Sequence, residues 1–199
     1  MLTQAAAGGY PDKATESLLA CLALVAKEPL GRKYIIDEHG VAALGGLFAN
    51  VYYGHELARV LRNLTLTRDR SAIAQIVNDS KVFTELCQQI VNSRATAEEQ
   101  ALQADYLEVL ATLVSSNADA VTKLMELRNE AEIIELLNFC VVGRPEENYI
   151  VRTCQFLKQL SFTDSVRHKL QEKDAVKVTI GLVVLDDTAS HKVRATNLN

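Results

Sequence analysis

The chain has 199 residues, 48% of them hydrophobic, and its 21 Lys and Arg against 25 Asp and Glu give a formal charge of −4. That acidity argues against a protein that grips nucleic acid through its overall charge. No run approaches the roughly 20 apolar residues of a transmembrane span, and Met1 to Gly9 lacks the basic and apolar parts of a secretion signal, so a soluble cytoplasmic protein with no membrane partner is expected.

Tryptophan is absent and aromatic content is only 6%, while leucine, valine and alanine dominate, a composition suited to helices packed closely on helices. Residues 1–11 read as a flexible leader. Asp12 or Thr15 opens a helix whose Leu18, Leu19, Leu22 and Val25 form a stripe, and Pro29 and Gly31 break it. A short helix over 32–38 ends on the Glu38-His39-Gly40 turn, and another runs from Val41 to about Asn50. His55 to Leu66 forms the clearest helix, with Leu57, Ala58, Leu61 and Leu64 facing inward. Asp69 starts a short helix, and Asn78-Asp79-Ser80 is a turn that caps the next, which carries Val82, Leu86, Ile90 and Val91. The scheme repeats over 98–114, 118–128 and 130–142, then over 147–161, 164–172 and 174–185. Polar inserts at 93–99 and 143–147 separate the later units.

A short phrase marks the period. It reads Leu61-Arg62-Asn63-Leu64-Thr65, Leu110-Ala111-Thr112-Leu113-Val114 and Leu157-Lys158-Gln159-Leu160-Ser161, with a weaker copy from Leu22 and a stub from Ala195. Its first positions step by 39, 49, 47 and 38 residues. Their mean of about 43 lies in the range of armadillo and HEAT arrays. Such periodicity means stacked helical units, each needing its neighbour to bury its apolar side. The expected units are 12–50, 51–97, 98–146 and 147–190, with a partial unit at 191–199. Because the phrase is cut at its fifth copy, the chain is expected to belong to a longer array or a larger complex.

The segment His55-Glu56-Leu57-Ala58-Arg59-Val60-Leu61-Arg62-Asn63-Leu64-Thr65 resembles the third helix of an armadillo repeat, and Gly40 before Val41 and Leu44 resembles that family's first junction. Ser80, Asn129 and Lys173 depart from the pattern where that glycine is usual. The resemblance covers roughly residues 13–198 and implies an all-α, right-handed α-solenoid of about four armadillo-like three-helix repeats plus a terminal partial repeat. It also implies that an extended peptide or helix of a protein partner lies along a groove of third helices.

Adding the repeat steps aligns Glu56, Asp105 and Arg152; Arg59, Glu108 and Gln155; Arg62, Ala111 and Lys158; and Asn63, Thr112 and Gln159. These lie between apolar positions, so one exposed face is expected to carry them. Importin-like members pair groove tryptophans with asparagines, and this chain has no tryptophan. Catenin-like members offer basic rows to acidic partners. Arg59, Arg62, Asn63, Arg152 and Lys158 are similar, interrupted by Glu56, Asp105 and Glu108. The plainer reading is a solvated polar face. Tyr52 and Tyr53 are a second candidate contact patch, or inter-repeat packing.

No catalytic, cofactor or metal motif stands out. His39, His55, His168 and His191 are scattered among repeats, and Cys21, Cys87, Cys140 and Cys154 form no C-x-x-C pair, so reduced, buried thiols are expected. Gly45-Gly46 lies inside a leucine-rich helix and reads as close helix contact rather than a phosphate loop. Glu98-Glu99, Glu146-Glu147 and Asp186-Asp187 suit helix starts. The resulting expectation is a non-catalytic protein-interaction scaffold; the alternative is a structural building block of a large cytoskeletal or ciliary assembly.

Overall fold

Helix starts in this chain are written in its capping residues, and a computed structural model, which describes residues 12–48, 51–90, 96–128, 130–143 and 145–172, places eleven α-helices within them. They are α1 (Asp12–Val25), α2 (Pro29–Asp37), α3 (Gly40–Leu44), α4 (Gly54–Thr65), α5 (Arg70–Asn78), α6 (Ser80–Gln89), α7 (Ala97–Ser116), α8 (Ala118–Leu127), α9 (Glu130–Val142), α10 (Glu147–Leu160) and α11 (Asp164–Glu172). Every regular element among the described residues is helical, with a 3-10 turn at Val51–Tyr53. The expected leader, the helix over 174–185 and the partial unit at 191–199 lie outside these residues.

Side-chain oxygens answer the free N–H groups at the helix starts. Asp69 accepts from the Ser71 N–H at 2.8 Å, and Asp79 from Lys81 and Val82 at 3.1 and 3.0 Å. Asn117 accepts from Asp119 at 2.9 Å. Thr96 and Glu99 form a reciprocal capping box at the start of α7. Glu98, Glu99 and Glu147 occupy first turns, as expected from the dipole.

Two boundaries differ from the sequence reading. Pro29 starts α2 instead of only ending α1, because the first helical turn needs no N–H from proline. The helix expected to reach Asn50 stops at Leu44, so Gly45 and Gly46 lie in a turn rather than a helix. Gly45 still marks a close approach, since a Cβ there would lie 3.2 Å from Val82 Cγ2. Before it, His39 takes a left-handed φ of 54°, and a Cβ on Gly40 would lie 2.9 Å from the Ile35 carbonyl oxygen.

The long helices pack in chain order, α1 on α4, α4 on α7 and α7 on α10. The shorter ones form flanking contacts, with α2 on α5, α3 on α6, α6 on α8 and α9 on α11. Leu57, Ala58, Leu61 and Leu64 are buried as expected, and α7 buries Leu107, Val109, Leu110 and Leu113 between its two neighbours. Polar side chains tie helices to backbone carbonyls far along the chain. Gln75 Nε2 donates to Ile36 O at 3.0 Å, Lys123 Nζ to Val77 O at 2.9 Å, and Arg128 Nε to Cys87 O at 3.2 Å. Their sequence separations are 39, 46 and 41 residues.

Candidate functional site

The stripe of polar positions on α4, α7 and α10 comes together as a charged face. Glu108 projects from the middle of α7, and its Oε2 lies 3.1 Å from Arg152 Nη2 of α10 and 3.6 Å from Arg62 Nη1 of α4. One carboxylate therefore bridges two guanidiniums across three helices. The Glu108 side chain is 27% exposed, yet its Oε2 is shut from solvent and makes no aligned hydrogen bond, so the attraction is one of charge rather than directed bonding.

The neighbouring positions pair locally. Arg59 Nη1 lies 3.2 Å from Glu56 Oε1, one turn back on α4, and His55 Nδ1 lies 3.5 Å from Asp105 Oδ2 on α7. Arg152 Nη1 also donates to Gln155 Oε1 at 3.1 Å, while Thr112 turns its hydroxyl back onto the Glu108 carbonyl. Gln155 and Lys158 are exposed and Gln159 is half-buried. Among the described cations of this face, Arg59, Arg62 and Arg152 are engaged by the chain's own carboxylates, and Lys158 makes no ion pair.

Asn63 corrects the expected groove. It is buried, and its Nδ2 donates to the Ala23 carbonyl at 2.7 Å, so this amide bonds the chain's own backbone and not the open face. The position borders α1, where a helix end offers carbonyls that sequence periodicity does not reveal. Of the two candidate tyrosines, Tyr53 is buried and donates to Asp12 Oδ1 at 2.6 Å, whereas Tyr52 is exposed. Tyr53 is thus packing.

The sequence reading passed over Leu66 and Phe162, which are 62% and 69% exposed just beyond α4 and α10. Each falls four residues after a position expected in the groove, Arg62 or Lys158, so the same helical stripe ends in an apolar side chain. That i, i+4 spacing was the available signal. The α1–α2 corner also exposes Leu24, Val25, Leu30 and Tyr34.

The thiols are free, and Cys21 departs from the expected burial by being exposed. Burial pushes Cys87 up to about 12, partly offset by the Arg128 guanidinium. Burial likewise raises Cys140 to about 11. Cys154 is raised by burial as well. Such thiols are poor nucleophiles at neutral pH. In an open cleft lined by His39, Ser71, Gln75, Asn78 and Asp79, Gln75 bonds Ile36, Asn78 accepts from Lys123 and Asp79 caps α6. Among the described residues no group of three or more His, Cys, Asp or Glu is placed to hold a metal ion, and no helix is long and apolar enough to cross a membrane.

No family model, curated protein or solved structure matches this chain.

Proposed function

We propose that this chain is a non-catalytic protein-interaction scaffold, an armadillo-like right-handed solenoid that holds an extended peptide or helix of a partner along the face of α4, α7 and α10. The observation that carries the reading is the alignment of Arg62, Glu108 and Arg152 across three successive long helices, within 3.1 to 3.6 Å of one another through Glu108. A partner lying across those helices meets exposed Gln155 and Lys158 and the apolar ends at Leu66 and Phe162. Polar groups then set register while the apolar ends supply desolvated anchors.

Selection from a displayed library of disordered peptides tests the reading. Binders should be lost when Gln155 and Lys158 are both changed to Glu, and retained when exposed Lys33 and Glu126, outside the stripe, are reversed instead. Retention by the first variant would sink the proposal.

The exposed Leu24, Val25, Leu30 and Tyr34 favour a second reading, in which the α1–α2 corner packs permanently in a larger assembly. In that case substitution of Leu30 and Tyr34 by Ser abolishes assembly while the Gln155 and Lys158 changes leave it intact.

A further inference from the structure

We infer that Glu108 is a built-in competitor, an internal carboxylate occupying the place that an acidic side chain of the partner takes between Arg62 and Arg152. The inference rests on the groove reading and names the partner's chemistry, a segment carrying Asp or Glu.

Three observations carry it. The two guanidiniums come from helices on either side of α7 and converge on a single carboxylate oxygen, a geometry that suits an anion bridging α4 and α10. That oxygen makes no aligned hydrogen bond, so it compensates charge without saturating the N–H donors. Arg62 and Arg152 keep 41% and 28% exposure, leaving guanidinium edges open to a ligand. An arriving carboxylate gains charge-assisted bonds that Glu108 does not make, but it meets the like charge of Glu108 at close range. Glu108 therefore holds the pair in place while lowering its affinity for acidic segments. It sets a threshold that a single weakly acidic contact does not cross.

The test is fluorescence anisotropy of a labelled glutamate-rich peptide, with a glutamine-rich peptide of equal length as control. Wild type, E108Q, R152Q and E108Q/R152Q are compared at low and high salt, with thermal melts confirming that each is folded. E108Q is expected to bind the glutamate probe about threefold to fivefold tighter than wild type, the size of a partly screened charge contact. The gain should shrink in high salt and in the R152Q background, and be absent for the glutamine probe. E108A takes the place of E108Q if the latter does not fold. Binding by wild type with no gain in E108Q overturns the competitor role and leaves the groove reading standing. Failure of both proteins to bind the glutamate probe overturns the acidic-partner assignment, and if the displayed library also yields no binder, the groove reading falls with it.

Discussion

Asn63 Nδ2 donates to Ala23 O across 2.7 Å and 40 residues of chain, and this bond completes the end of α1. The Leu22, Leu24 and Val25 carbonyls accept from the N–H groups of Ala26, Lys27 and Glu28, and those of Ala26 and Lys27 accept from buried Arg32. Ala23 is the carbonyl left over, and α4 supplies its donor. Asn63→Ala should therefore cost about 1–3 kcal/mol, the penalty of an orphaned buried acceptor. Asn63→Asp should cost more, because it sets acceptor against acceptor. Chemical denaturation of the three proteins checks the order; equal stability of Asn63→Ala and wild type would show that the bond contributes nothing.

Sequence periodicity located the long helices because their apolar stripes are strict: Leu57, Leu61 and Leu64 in α4, and Leu107, Leu110 and Leu113 in α7, are fully buried. Capping chemistry at Asp69 and Asp79 was equally local and equally legible. The site was less so, since its geometry depends on what lies across a helix interface. Repeat alignment set Arg62 level with Ala111, but helical side chains lean toward the N-terminus, and Arg62 reaches Glu108 one turn earlier. Asn63 was misplaced for a related reason: a polar residue between apolar ones looks solvent-facing unless the neighbouring helix end is known. Pro29 carries both meanings, stop and start, and only the chain's path separates them.

Two glycines should respond differently to the same added methyl group. At Gly31 a Cβ would fall 2.1 Å from the Val25 carbonyl oxygen, a backbone atom held by the α1 end. At Gly54 it would fall 2.4 Å from Leu102 Cδ2, the far end of a side chain that can rotate away. Gly31→Ala is expected to destabilise beyond the ~1–3 kcal/mol typical of overpacking, and Gly54→Ala to stay within it. Thermal melts of the two variants decide the matter, and the reverse order would contradict the packing described for the α1–α2 corner.

Thiol accessibility divides the four cysteines. Under native conditions an alkylating reagent should modify Cys21 first and Cys154 slowly, with Cys87 and Cys140 modified only on unfolding. Peptide mass mapping over time reads the order directly. Burial that raises Cys87 to about 12 also fixes an alkaline limit. Below the ordinary thiol range both native and unfolded chains keep the proton, and stability is unaffected. As pH climbs toward 12 the unfolded chain loses a proton that the native one keeps, so stability falls. Cys87→Ala should soften this alkaline loss, whatever it costs in packing at neutral pH.

The Arg62–Glu108–Arg152 bridge should behave as a unit. Its members are 27–41% exposed, so either single arginine contributes only about 0.2–1 kcal/mol, with Arg152 above Arg62 because its contact is shorter, 3.1 against 3.6 Å. Removing one leaves Glu108 Oε2 beside the other guanidinium. Removing both leaves the carboxylate, 27% exposed in the intact protein, with neither of its two cations. Arg62→Ala/Arg152→Ala is therefore expected to lose more stability than the sum of its single variants, and adding Glu108→Gln should restore part of that loss. Urea denaturation of the full cycle measures the coupling. Strict additivity would mean that Glu108 swings into water when unpaired, and that the helices do not hold it at the centre of the face.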